Sequence, residues 1–146
     1  TVTDGIIFHN TLASSDYGYL SHTTFNPRPN YFAVVLWNRI MGNTVYDAAE
    51  PIREGAHVYA HSRADGKPGT AYLVINNSKT DATTVTLSKA AEVYQLSAES
   101  LRAGTMLCNG KPLVLGEGNT LPDMSPVAAA AGELVLPAAT CTFIVL

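Results

Sequence analysis

The 146-residue sequence predicts a mainly β fold, an antiparallel β-sandwich preceded by one barrel-type strand and a buried linking helix. Three observations carry this. Short apolar stretches separated by turn chemistry recur from Val45 onward, as strands of a sandwich do. A continuous apolar run, Ile6-Ile7-Phe8, stands near the start. Between the two lies a segment that is apolar at nearly every helical position, with Phe32, Ala33, Val34, Val35, Leu36, Trp37, Ile40 and Met41.

The run at Ile6-Ile7-Phe8 does not alternate, which suits a strand buried on both faces, as in the parallel sheet of a barrel. Ala13-Ser14-Ser15-Asp16-Tyr17-Gly18 is small and polar, the composition of a loop leaving such a strand. Asn26-Pro27-Arg28-Pro29-Asn30 then offers two prolines and a capping Asn, and Gly42 offers a left-handed stop, so a helix is expected over residues 30–41. A helix apolar on all sides belongs between two layers. Strands are expected over residues 57–61, 70–75, 83–87, 93–96, 105–108, 113–115, 133–136 and 140–146. Asn109-Gly110 between two apolar stretches is a strong hairpin signal. Thr83, Val85 and Leu87 alternate with Thr84, Thr86 and Ser88, giving one dry and one wet face. The resulting division is residues 1–43 as a barrel end with its linking helix and residues 44–146 as the sandwich.

Charged residues make up 14% of the chain, against roughly 25% in ordinary soluble domains, and apolar residues 47%, which implies a covered face. The net charge of −3 and the scattered Lys and Arg do not supply the phosphate-neutralising cluster that nucleic acid requires, so no nucleic-acid partner is expected. No apolar run approaches the ~20 residues of a membrane span. The opening Thr1-Val2-Thr3-Asp4, without Met or a signal segment, reads as a processed product, an excised piece or one part of a longer protein. Cys108 and Cys141 are too few for a cysteine-only metal site, and the sequence leaves open one bridge or two buried thiols.

Glycoside hydrolysis needs two carboxyl groups flanking the scissile bond. None of Glu50, Glu54, Glu92, Glu99, Glu117 and Glu133 follows a barrel-like strand, and exposed charge is the better account of each. No catalytic residue is therefore expected within the chain. Asp16 lies where barrel enzymes place working residues, on a loop at the strands' C-terminal face, and the phenol of Tyr17 beside it can donate to a sugar oxygen. Taken alone, these residues favour an Asx turn with Tyr17 packed on the rim. His9 and Asn10 end the first strand, and a lone His there is more often hydrogen-bonded in the core than a ligand. His57 and His61 are four apart, about 13 Å in a strand, too far to share one metal. Neither metal nor cofactor is implied. Tyr31 and Trp37 could form a sugar platform, but on a buried helix core packing is the better reading.

His9-Asn10-Thr11-Leu12-Ala13-Ser14-Ser15-Asp16-Tyr17-Gly18, then Thr24-Phe25-Asn26-Pro27-Arg28-Pro29-Asn30-Tyr31-Phe32 and Leu36-Trp37-Asn38-Arg39-Ile40-Met41-Gly42, resemble in order the heparanase and β-glucuronidase family, glycoside hydrolase family 79. His57-Val58-Tyr59-Ala60-His61-Ser62, Leu73-Val74-Ile75-Asn76-Asn77, Leu107-Cys108-Asn109-Gly110 and Leu121-Pro122 resemble its C-terminal sandwich. The resemblance implies a parent with a TIM-type barrel before this sandwich, acting on glucuronide-containing glycans with retention. Its acid/base Glu and nucleophilic Glu would both lie upstream of Thr1. In the family the loop after the last barrel strand gives a Tyr and backbone amides to the sugar site, which places substrate binding here on Tyr17, with Ser15 and Asp16 before it. Ser15 departs from the glycine of heparanase. The positions of Cys108 and Cys141 depart as well, so no disulfide is implied.

The partner so implied is the barrel of the parent hydrolase, or a second chain carrying it, with the glycan bound through that barrel. Family sandwiches also take a strand from before the barrel, which would leave a sheet edge here to be filled. A secreted, extracellular or periplasmic location goes with this. Two other classes compete, a free-standing carbohydrate-binding module and a structural interaction domain.

Overall fold

A computed structural model describes residues 18–48 and 55–146. The barrel-type strand expected at Ile6-Ile7-Phe8 lies outside the described residues. The chain enters through a small turn in which Leu20 bridges Pro27 and the Arg28 amide donates to the Tyr19 carbonyl. The helix α1 then runs Pro29–Ile40. It starts one residue before the expected position, because Pro29 lacks the N–H that a first helical turn leaves unpaired anyway and its fixed φ is already helical. Arg28, rather than Asn30, occupies the capping position and supplies no side-chain cap.

The end of α1 also differs from expectation. Met41 is extended (φ −88°, ψ 116°) and leads directly into strand β1, Met41–Tyr46, so Gly42 is no left-handed stop. Glycine is needed there for another reason. A Cβ at residue 42 would collide with Ser62 Oγ and come within 2.6 Å of the Ser62 carbonyl oxygen. Both are contacts that no side chain tolerates unmoved.

Nine more strands follow: β2 Ala56–Arg63, β3 Thr70–Asn76, β4 Thr83–Leu87, β5 Ala91–Ser97, β6 Leu107–Cys108, β7 Lys111–Pro112, β8 Val127–Ala129, β9 Gly132–Leu136 and β10 Thr140–Val145. The large antiparallel sheet has the order β1-β2-β3-β10-β5-β6-β7, with β8 also paired to β5, and β4 pairs β9 in a separate two-stranded ribbon. Expected strand 83–87 matches β4 residue for residue. Expected strand 113–115 does not form. Positive φ at Asn109 (49°) and Gly110 (78°) makes a two-residue hairpin turn, which sets Lys111 opposite Cys108 and Pro112 opposite Leu107. Leu113 then leaves the ladder and is buried in the core.

The two faces of the large sheet bury separate cores. On one, Phe32, Leu36 and Ile40, a stripe at four-residue spacing along α1, packs with Ala71, Leu73, Leu96, Phe143 and Val145. On the other, Leu87 and Leu136 of the ribbon pack with Val74, Ala91 and Ile144. Burial of each large apolar side chain contributes about 1.5–3 kcal/mol. This is a β-sandwich whose second layer is a narrow ribbon, with a helix on the opposite side. Within it α1 is covered along one stripe only. Ala33, Val34, Val35 and Trp37 are half-buried and Asn38 and Arg39 exposed, contrary to the expectation of a helix enclosed all round. The apolar positions called for two covering layers, and the described residues supply one.

Register also decides the cysteines. Cys141 pairs with Leu96 and Leu96 with Cys108, which places the two thiols two strand spacings apart, roughly 10 Å. A disulfide spans at most about 7 Å between Cα atoms, and both cysteines are free.

The layers are stapled by Asn76, which is 2% exposed. Its Nδ2 donates to the carbonyls of Asp81 (2.9 Å), Pro137 (3.1 Å) and Leu136 (3.3 Å), while its Oδ1 accepts from the Ser78 amide (3.1 Å). The end of β3 is thereby tied to the loop before β4 and to the turn between β9 and β10. Asn76→Ala removes all four bonds and strands the buried Leu136 carbonyl, and urea denaturation is expected to show a loss of about 2–4 kcal/mol. Asn77→Ala, an exposed neighbour, should stay within about 0.5 kcal/mol.

Candidate functional site

The residues that sequence places at a sugar site, Ser15, Asp16 and Tyr17, lie outside the described residues, as do His9, Asn10, Glu50 and Glu54. Among the described residues, Glu92, Glu99, Glu117 and Glu133 are all exposed. Three aspartates serve turns. Asp81 accepts from the hydroxyls of Ser78 and Thr80 (3.0 Å each), Asp123 from Ser125 Oγ (2.5 Å) and Lys111 Nζ (3.4 Å), and Asp65 from Arg63 Nη2 (2.7 Å) and Nε (3.0 Å). For Asp65 and Asp123 these partners hold the carboxyl below its ordinary pKa, the opposite of what a general acid at neutral pH requires. No group of three or more His, Cys, Asp or Glu able to hold a metal occurs among the described residues.

The histidines and aromatics of the helix side are packing groups. His61 Nδ1 lies 2.8 Å from the Gly42 carbonyl oxygen, so that nitrogen carries the proton and donates. Trp37 stands edge-on to the His61 ring with centroids 5.1 Å apart, and Tyr31 edge-on to Phe32 at 5.6 Å. Both Tyr31 and Trp37 are half-buried against the helix-side core, in line with packing rather than a platform.

Sequence reading missed the cleft beside α1. Val34, Trp37 and Asn38 form one wall and Ile75, Cys141 and Phe143 the other, around a volume of about 510 Å³. The walls are almost wholly apolar. Asn38, their amide-bearing member, donates to the Val34 carbonyl of its own helix (2.9 Å). Burial pushes the Cys141 thiol above its ordinary pKa, so it stays protonated and unreactive at neutral pH. The cleft can therefore seat an apolar surface but cannot move a proton. The signal for it was present in the all-round apolar character of residues 32–41, whereas its far wall comes from strands distant in sequence.

No protein-family model matches the chain. Heparanase-like protein 2 of Arabidopsis thaliana is 33% identical over 112 residues, which is 77% of this chain and 20% of that protein. The chain is a homologue of the heparanase-like proteins. Baicalin-beta-D-glucuronidase of Scutellaria baicalensis is 28% identical over 124 residues, 80% of this chain and 23% of that enzyme. These relatives uphold the resemblance to glycoside hydrolase family 79. The heparanase-like chain spans about a fifth of the length of the curated relatives it matches. Among solved structures, a bifunctional glucanase-xylanase from a metagenome library matches with a TM-score of 0.51 over 80% of this chain and 22% of its own, at 22% identity, a likeness of fold. No helix among the described residues is long and apolar enough to cross a membrane.

Among the described residues, the most strongly shifted carboxyl is structural. Arg63 holds Asp65 down to about 2, chiefly by hydrogen bonding, with the Lys67 amide next and the charge of Arg63 after it. Because the folded value is depressed, the stabilising effect is complete above the ordinary carboxylate range and fades as pH falls through about 2. Arg63→Gln should return Asp65 toward 3.8 in an NMR titration of side-chain carboxyls.

Proposed function

We propose that the chain is a non-catalytic, accessory β-sandwich of a retaining glycoside hydrolase acting on glucuronide-containing glycans. One observation carries this reading. The outer side of α1, with Val34 opposite the Phe32-Leu36-Ile40 stripe, borders an apolar cleft that no described residue fills. An apolar face of this kind calls for a second layer. The barrel of the parent is that layer, with residues 1–43 as its end and its linking helix and residues 44–146 as the sandwich. Tyr17, with Asp16 and Ser15, lines the sugar site of that barrel, while both catalytic Glu residues come from upstream. The whole is a secreted, extracellular or periplasmic enzyme. The extra length of the heparanase-like relatives supports a larger parent.

A free-standing carbohydrate-binding module fits less well. It needs aromatic rings aligned on one surface. Tyr46 pairs with Ala60, and Tyr59 is the preceding residue on the same strand. Tyr46 and Tyr59, the exposed tyrosines among the described residues, therefore point to opposite faces of the sheet.

The 146-residue chain alone should release no product from an aryl glucuronide, whereas the longer hydrolase should. Turnover by the chain alone would sink the proposal. In the longer enzyme, Tyr17→Phe removes one hydrogen bond to the sugar and should lower kcat/KM about tenfold. Unchanged kinetics would remove Tyr17 from the site.

A further inference from the structure

Asn109 does more than turn the β6–β7 hairpin. Along one edge, β5 pairs first with β8 (Val93 opposite Val127) and then with β6 (Leu96 opposite Cys108). Between these partners the ladder has a gap, and Asn109 fills it. Its backbone amide donates to the Gln95 carbonyl (2.9 Å) and its Oδ1 accepts from the Gln95 amide (2.9 Å). Its Nδ2 donates to the carbonyls of Val93 (3.0 Å) and Ser125 (3.2 Å). One side chain thus takes the place of a missing strand residue and joins the segment before β8 to the corner.

The residue that follows is Gly110, which has no side chain to shield its backbone nitrogen. In such a pair that nitrogen, giving up its proton, can attack Cγ of the Asn. The Cγ–Nδ2 bond breaks, ammonia leaves, and a five-membered succinimide forms. Water then opens the ring to aspartate or isoaspartate, so the reaction needs no other reagent.

We infer that Asn109 is a covalent modification site, an Asn–Gly pair held unreactive by its native hydrogen bonds, whose deamidation releases the corner where β5, β6 and β8 meet. Protection follows from geometry. Cγ cannot swing toward the Gly110 nitrogen while Oδ1 and Nδ2 are held by Gln95, Val93 and Ser125. Release follows from donor loss. An aspartate has only acceptors at neutral pH, so it faces the Val93 and Ser125 carbonyls with a charged oxygen in place of an N–H. Deamidation is irreversible, so the corner, once opened, stays open.

Asn77, exposed and followed by Ser78, serves as an internal reference, because the Ser side chain hinders ring closure. The intact protein is held at mildly alkaline pH with and without denaturing urea, and conversion at both sites is followed by peptide mass spectrometry. In urea Asn109 should convert before Asn77. In the folded protein the order should reverse, with Asn109 at least about tenfold slower than in urea, since reaction must await local opening. Equal Asn109 rates in the two conditions, or Asn109 reacting first in the folded protein, would overturn the protection. For the release, Asn109→Asp should lower the urea midpoint further than Asn109→Gly, which keeps the turn and removes the side chain. If Asn109→Asp does not fold, deamidated wild-type protein should show faster amide exchange in β6 and β8 than unmodified protein. An Asn109→Asp midpoint equal to wild type, or unchanged exchange, would overturn it.

Discussion

Strand β10 is buried on both faces, and each of the two cores is built on one of them. Phe143 and Val145 project toward α1, while Thr142 and Ile144 project toward the ribbon. The strand pairs with β3 on one side and β5 on the other, so its backbone groups are taken up as fully as its side chains. That position has a cost. Thr142 is completely buried and its hydroxyl has no hydrogen-bond partner among the described residues, which disfavours folding by about 1–3 kcal/mol relative to a paired group. Asn76 ties the turn before β10 to the end of β3, so the strand that both layers share is anchored at its start.

From that centre outward the structure becomes progressively less complete. The ribbon covers the middle of one face, and α1 covers the other along a single stripe. The outer face of the helix and the cleft beside it are left to whatever else the parent provides. Chemistry is sparse across the whole described surface. Asp65, Asp81 and Asp123 are held by Arg, Lys and hydroxyl partners, His61 is bound to a carbonyl, Cys108 is buried and Cys141 half-buried. Among the described residues, packing and local hydrogen bonding account for these groups. That fits an accessory role within a larger hydrolase.

Sequence made the strands legible wherever alternation and turn chemistry agreed. β4 shows this most clearly, because its Thr-Val-Leu face needed no knowledge of the partner strand. It failed where the reason for a residue lay across the sheet. Gly42 reads as a helix stop but exists for the close approach of Ser62, and β1 was missed with it. Lys111–Pro112 forms the strand in place of residues 113–115 because the two-residue turn fixes register before hydrophobicity can. β8 hides in an alanine-rich stretch whose pairing with β5 has no local signature. The cleft combines a helix with strands from the middle and end of the chain. Only its near wall could be read in advance.

An accessory role requires that α1 have a second covering layer in the longer hydrolase. Hydrogen–deuterium exchange of the α1 amides in the 146-residue chain and in the longer hydrolase tests this directly. Exchange across α1 should be slower in the hydrolase than in the chain alone, with the cleft-lining segment of β3 slowed alongside it. Identical exchange in the two would contradict the docking of the barrel on this helix.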